Sequence, residues 1–275
     1  MADRIDKCRL CNGTLTKAFE KRILNAHDIQ YFECDSCGSL QTESPYWLDE
    51  AYKPENERFD TGQVIRSIHN AAILNVLLEH LQLQKSLIID YGCGSGLTVR
   101  LMRDVGLNAY GYDSYSIPRL AIGFHINTTS NAEVINLCEV AEHFDNPLKY
   151  FDEIFSSNPK LLLMQTEIFD SQNSSWGYLT PEHGQHIFFY SEKSIQFIAT
   201  RYKMAATFLA GYIVFFLPIL LSDLFTGNNT KLHPELQRKL QNAVPELMMN
   251  LAANQYKYAS LDSENLLDIS RKESM

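Results

Sequence analysis

With 275 residues, 45% of them hydrophobic and 11% aromatic, the chain is long enough for one domain of about 200 residues or more with a small appendage, and wholesale disorder is excluded. A net charge of −9 argues against a polyanionic partner, because phosphate-backbone binding runs on Lys and Arg; no nucleic-acid partner is expected. The opening Met1-Ala2-Asp3-Arg4-Ile5-Asp6-Lys7 is too polar for a secretory leader. Six cysteines in so long an acidic chain do not read as a disulfide framework, so a reducing, cytoplasmic setting is the expectation.

Four of the six cysteines lie in two knuckles, Cys8-Arg9-Leu10-Cys11 and Cys34-Asp35-Ser36-Cys37. Paired Cys-x-x-Cys knuckles at this separation can wrap one Zn²⁺ tetrahedrally, and four thiolates leave no open position, so the metal is expected to be structural. Asn12-Gly13 and Gly38 supply turns beside the knuckles, and Tyr31-Phe32-Glu33 reads as a strand entering the second. Residues 1–45 are too few to bury a core, so zinc would supply most of their order, on the order of 10 kcal/mol. Residues 1–60 carry eight Lys and Arg against twelve Asp and Glu, which fits a packing or substrate-side module.

Residues 41–60 form a polar connector with Pro45 and Pro54 that carries Tyr46, Trp47 and Tyr52. From Thr61 the apolar positions Val64, Ile65, Ile68, Ala71, Ala72 and Val76 recur at helical spacing. Ser86-Leu87-Ile88-Ile89-Asp90 then reads as a buried parallel strand, followed by glycines, a helix over Leu97–Val105 and a second strand over Asn108–Asp113. Further strands are expected at Glu133–Val140, Leu161–Thr166, Ala205–Leu209 and Tyr212–Leu217, and further helices at Pro147–Ser156 and Ser191–Arg201. Such alternation predicts an α/β sheet covered by helices on both faces. The uncharged run Met204–Leu221 approaches the length of a membrane helix. Its β-branched and aromatic residues, with Gly211 and Pro218, predict two buried strands and a tight turn instead. The chain thus divides into a zinc module (1–45), an α/β domain with its lead-in helix (46–225) and a helical extension (226–275) that is a candidate oligomer contact.

Asp90-Tyr91-Gly92-Cys93-Gly94-Ser95-Gly96 joins a strand to a helix, where open α/β sheets bind ligands. Leu97 stands where the dinucleotide fingerprint needs a small residue, which argues against a nicotinamide oxidoreductase. Asp113, at the end of the next strand, is placed to accept hydrogen bonds from both ribose hydroxyls of a nucleoside ligand.

These residues resemble the class I S-adenosylmethionine-dependent methyltransferases. Asp90–Gly96 is similar to their first motif, Asp113 to their ribose-binding acid, and Glu139-Val140-Ala141-Glu142-His143-Phe144-Asp145-Asn146-Pro147 to the segment after their fourth strand. The resemblance implies a Rossmann-like fold and S-adenosylmethionine held by Asp90, Gly92, Cys93, Gly94, Gly96, Asp113 and Glu139, with Tyr52 closing over its methionine end. The Cys93 and Cys138 side chains read as small buried fillers and Glu142-His143 as a structural helix cap.

A narrower resemblance joins the cysteine quartet to sugar C-methyltransferases, whose Glu-His-x-x-Tyr-Phe-Ser segment is similar to Gln185-His186-Ile187-Phe188-Phe189-Tyr190-Ser191. His186 takes the place of their proposed base, but Gln185 replaces the Glu; Glu182 and His183, just upstream, are the further candidates for proton transfer. Losing that Glu favours a hydroxyl acceptor, which asks less of a base than carbon does. The expectation is methyl transfer, to carbon or oxygen, on a sugar, nucleotide-sugar or glycan precursor. The alternatives are an rRNA methyltransferase with a zinc ribbon, opposed by the acidic first 60 residues, and a module that binds cofactor or partner without turnover.

Overall fold

The computed structural model describes residues 7–53, 61–254 and 256–273; residues 54–60 of the connector lie outside the described residues. In chain order the elements are β1 (Leu15–Ile23), β2 (His27–Cys34), β3 (Leu40–Thr42), α1 (Leu48–Ala51), α2 (Gln63–His80), β4 (Ile88–Tyr91), α3 (Leu97–Asp104), β5 (Ala109–Tyr112), β6 (Val134–Cys138), α4 (Pro147–Ser156), β7 (Leu161–Gln165), β8 (Phe188–Phe189), α5 (Glu192–Arg201), β9 (Ala205–Leu209), β10 (Tyr212–Phe216), α6 (Leu221–Leu224), β11 (Phe225–Thr226), β12 (Lys231–Leu232), α7 (Pro234–Gln241), α8 (Ala243–Asn254) and α9 (Lys257–Glu273).

The largest sheet has six strands in the order β5-β4-β6-β7-β10-β9. β4 pairs in parallel with both β5 and β6, which sets Asp90 opposite Gly111 and Asn136. β4 and β10 are buried at every position and β7 at all but its last, the burial that continuous apolar runs require of strands covered on both faces. The strand expected to reach Val140 stops at Cys138, because Glu139 turns into the left-handed region at φ 54°. The apolar run from Met204 resolves into β9 and β10, joined through Ala210 and Gly211 at φ 51° and 85°; β10 is buried throughout, but β9, expected to be buried too, is buried only at Leu209, because it is the edge strand of the sheet. Among the described residues no helix is long and apolar enough to cross a membrane.

The chain groups into two compact units that cut across the linear division into 1–45, 46–225 and 226–275. One comprises the residues up to Thr61, Cys138–Ser156 and Met164–Phe215. It contains a second sheet, β1-β2-β3-β8, whose pairs are all antiparallel. Its last strand, β8, comes from Phe188–Phe189, so the cysteine-bearing hairpin shares a core, including Ile29, Tyr31, Leu40, Trp47, Ile187 and Phe189, with that distant segment. The Sγ atoms of Cys8 and Cys37 lie 3.7 Å apart and those of Cys11 and Cys34 3.5 Å apart, with all four Sγ atoms within 4.8 Å of one another. A tetrahedral Zn²⁺ with Zn–S bonds of about 2.3 Å spaces its sulfurs by about 3.8 Å, so the quartet fits the metal. A Cβ on Gly13 would stand 2.6 Å from Ser36 Oγ and 2.8 Å from Cys34 Sγ, so only glycine lets the knuckles approach.

The other unit comprises Gly62–Leu137, Ser157–Leu163 and the chain from Phe216 onward. Here the C-terminal extension is part of the packing: α7 and α8 lie against α2, and α9 against α3. Asp262 of α9 accepts from Arg100 Nη2 at 2.8 Å and from Arg103 Nε at 2.8 Å. A Cβ on Gly106 would meet the Tyr258 ring at 2.6 Å.

Native mass spectrometry should find one zinc per chain. Cys34→Ser should abolish that mass increment and lower the melting temperature; a full melting temperature without metal would show that the hairpin is held by its core alone.

Candidate active site

The loop between β4 and α3 takes its shape from three glycines at positive φ, Gly92 at 74°, Gly94 at 50° and Gly96 at 80°. A Cβ on Gly96 would collide with Pro118 Cβ at 2.7 Å, whereas one on Gly94 would meet nothing within 4 Å. The middle of the loop therefore faces open space that a ligand can enter. Asp113 pins this loop: Oδ2 accepts from Gly94 N at 2.9 Å, while Oδ1 accepts from Tyr115 N and Ser116 N at 2.8 Å each. A carboxylate has about four acceptor positions, so one that organises its own loop retains capacity for a sugar hydroxyl.

Asp90 lies beneath the loop, 4% exposed, and accepts from Asn136 Nδ2 at 2.7 Å. Asn136 and Asn70 in turn exchange side-chain amide bonds of 2.8 and 3.0 Å, which ties α2 to β6. Burial pushes the Asp90 carboxyl up to about 7, against the Asn136 hydrogen bond and with help from the negative charge of Asp113. Cys93 is buried, and its Sγ would lie 2.5 Å from a Cβ on Gly111, so its side chain fills the space that glycine leaves.

A second group of polar side chains forms within the other unit. After the turn at Glu139, the 3-10 turn Ala141–His143 carries Glu142 inward until it is 0% exposed. Its Oε1 lies 2.8 Å from the Tyr178 hydroxyl, which is also 3.3 Å from Glu139 Oε2 and 3.1 Å from Thr166 Oγ1. One phenolic proton cannot serve two carboxylates. Burial, reinforced by the Glu139 charge, pushes Glu142 up to about 8, so the pair keeps a proton at neutral pH. Glu142 was expected to be a helix cap; it is the centre of this group instead.

His186 is 9% exposed, and its Nδ1 donates to the Tyr178 carbonyl at 2.7 Å. A carbonyl can only accept, so the proton sits on Nδ1; Nε2 lies 3.9 Å from Glu142 Oε1. The His143 ring is centred 5.2 Å from that of His186 and 6.3 Å from that of Tyr52. Burial, then the neighbouring His186 and His183, hold His143 well below the ordinary histidine range. His183 is half-buried on the turn from Thr180, and Glu182 is exposed. Tyr178 and Thr166 carried no signal in the sequence, because neither belongs to a motif.

The segment bearing the histidines is stitched to the N-terminal hairpin. Leu24 N donates to Pro181 O at 2.7 Å, Trp47 Nε1 to Gly184 O at 2.7 Å, and Thr42 N to Ile187 O at 3.0 Å. Gln185 Nε2 donates to Ala51 O at 2.9 Å. A glutamate there has no hydrogen to give that carbonyl, which explains why an amide replaces the expected acid.

Residues 64–202, just over half of the chain, match the family described as "Methyltransferase domain". The chain belongs to that family. It is an S-adenosylmethionine-dependent methyltransferase, with the mixed α/β fold and partly parallel central sheet that this class has. No curated protein sequence matches the methyltransferase significantly. Among solved structures it is similar to human N-acetylserotonin methyltransferase in complex with SAM, at 12% identity and a TM-score of 0.46 over 62% of this chain and 59% of that one. It is also similar to the methyltransferase domain of bacterial CtHen1-C, at 21% identity and a TM-score of 0.40 over 55% of this chain and 98% of that one. A third is the plantazolicin methyltransferase BamL with a desmethyl analogue and SAH, at 12% identity and a TM-score of 0.46 over 75% and 84%.

Asp90 makes stability depend on pH. Its folded pKa of about 7 exceeds an unfolded value of about 3.9, so its favourable contribution is complete below the lower value and is lost as pH rises through the higher. Asp90→Asn keeps an acceptor for Asn136 without that loss. Urea denaturation should show the variant gaining on the parent from pH 5 to pH 8, by on the order of 3 kcal/mol; a constant difference would refute the buried-acid assignment.

Proposed function

We propose that this methyltransferase acts on a sugar, a nucleotide-linked sugar or a glycan precursor, with a hydroxyl as the favoured acceptor and carbon as the alternative. The observation that carries the acceptor class is the resemblance of Gln185-His186-Ile187-Phe188-Phe189-Tyr190-Ser191 to the segment of sugar C-methyltransferases. The rings of Tyr178, Trp176 and Phe189 beside His186 belong to the core of that unit and hold the segment in place. The departure at Gln185 favours oxygen, since an O–H proton is removed more easily than a C–H proton.

On this reading Gly92, Cys93, Gly94 and Gly96 cradle the cofactor through their backbone, Asp113 holds its ribose, and Asp90 braces the loop. Glu139 and Tyr52 are assigned to the cofactor by the family resemblance. When bound, S-adenosylmethionine supplies a methyl group on a sulfonium that departs as a neutral thioether. The acceptor gives up one proton for the methyl it gains. We assign that proton to His183, whose half-exposed ring can pass it to solvent. His186, buried with its proton held on Nδ1 by the Tyr178 carbonyl, is a positioning residue, and Glu182 lies at the solvent edge. The quartet's zinc keeps the hairpin, and through it the histidine segment, in shape. The balance of charge favours a small-molecule partner over nucleic acid, and six thiols without a disulfide suit the cytoplasm. Exposed Met248 and Met249 on α8 are the candidate contact for a homo-oligomer.

Calorimetry should show Asp113→Ala and Gly94→Val each weakening S-adenosylmethionine binding at least tenfold in folded protein; undiminished affinity would remove the cofactor assignment. With a panel of nucleotide sugars as acceptors, His183→Ala should lower turnover by about 10²- to 10⁴-fold. No methylated product from any of them would rule out the sugar.

A further inference from the structure

The group formed by Glu142, His143 and His186 has a property that proton transfer leaves unexplained. One ligand atom of each lies within 4.8 Å of the others, in a region where Glu142 is 0% and His186 9% exposed. The adjacent Glu142 and His143 of one 3-10 turn converge with His186 from a distant segment, and the second oxygen of Glu142, Oε2, is buried without a hydrogen-bond partner. An orphaned carboxylate oxygen in such a place costs stability unless something binds it.

We propose that Glu142, His143 and His186 form a binding site for one divalent transition-metal ion, separate from the cysteine quartet. The geometry carries this in three ways. His186 donates through Nδ1 to the Tyr178 carbonyl at 2.7 Å, which is how a metal-bound histidine is held by its outer partner, and its Nε2 lies 3.9 Å from Glu142 Oε1. The Nε2 to Oε1 separation of 3.9 Å is close to the spacing of about 3.0 to 3.4 Å between ligands on an ion with bonds of about 2.1 Å. Glu139 lies adjacent, sharing the Tyr178 hydroxyl, and adds negative charge to the site. Its backbone holds φ 54°, a conformation a non-glycine residue adopts at a cost, of the kind concentrated at functional sites.

Mixed imidazole and carboxylate ligands suit manganese, iron, cobalt, nickel or zinc, whereas four thiolates select zinc. The two sites therefore differ in the metals they take. Three protein ligands leave coordination positions open, and the half-buried His143 against the exposed Tyr52 ring marks the side from which a small molecule reaches them. This extends the methyl-transfer reading and rests on it for its role: an ion there binds an acceptor hydroxyl and makes its proton more acidic, leaving His183 to take that proton.

The test uses the full chain with zinc in the cysteine quartet and titrates it with manganese(II). The six-line electron paramagnetic resonance signal of free Mn²⁺ reports binding without any need for activity. One Mn²⁺ per chain is expected, weakened at least tenfold by Glu142→Gln, His143→Ala and His186→Ala and unchanged by the exposed His69→Ala. Glu142→Gln is isosteric, so it tests the site even if a histidine variant fails to fold. Free signal undiminished at millimolar protein, or equal binding in Glu142→Gln and the parent, overturns the proposal. S-adenosylmethionine affinity, measured on the same protein, tests the methyl-transfer reading and is independent of the metal result.

Discussion

Hydrogen bonds from Leu24, Thr42 and Trp47 to the carbonyls of residues 181–187 are the constraint on which the histidine segment depends. That segment has almost no regular structure of its own, since β8 is two residues long. Its carbonyls at Pro181, Gly184 and Ile187 are occupied by Leu24, Trp47 and Thr42. Arg9, inside the first knuckle, also donates to Ile187 O and through its backbone to Gln41 Oε1 at 2.9 Å. Burial pushes its guanidinium down to about 10, still charged at neutral pH. Buried backbone groups without partners are costly, so the segment cannot leave the hairpin cheaply. The cysteine quartet, whose spacing fits a zinc ion, closes the base of the sheet against which the segment carrying His183 and His186 is held.

The glycine loop obeys a different economy. Its conformation is over-determined from below by Asp90, Asn136 and Asn70, and from the side by Asp113 on Gly94 N. This pre-organisation reduces what a ligand must spend on ordering the loop. It also explains why acidic residues close both β4 and β5. Asp90 holds the strand ends together from a buried position, and Asp113 folds the loop through Gly94, Tyr115 and Ser116.

Much of the fold was legible because its signals are local. α4 runs over the residues its pattern predicted, and β9, β10 and the turn at Gly211 follow from one apolar run too broken for a membrane helix. β1 was not legible. Leu15–Ile23 carries Lys17, Glu20, Lys21 and Arg22 and has only one buried position, so its identity as a strand comes from pairing with β2. β8 was hidden for a related reason, being two residues that become a strand only where β3 meets them. At the site, the glycines, Asp113 and the cysteine quartet announced themselves by spacing. Tyr178 and Thr166 did not, because a hydroxyl that serves a carboxylate 36 residues away leaves no periodic trace.

The sequence by itself determined the elements with a local pattern and their glycine turns, the pairing of four cysteines into two knuckles and the family, since each depends on residues a few positions apart or on a motif read in order. Tertiary structure alone decided that the hairpin takes β8 into its sheet, that the C-terminal helices close over α2 and α3, and that Glu142 faces inward to meet His143, His186 and Tyr178. Those choices turn on which buried polar groups find partners across long stretches of chain, and hydrogen-bond satisfaction at that range is a property of the packed molecule.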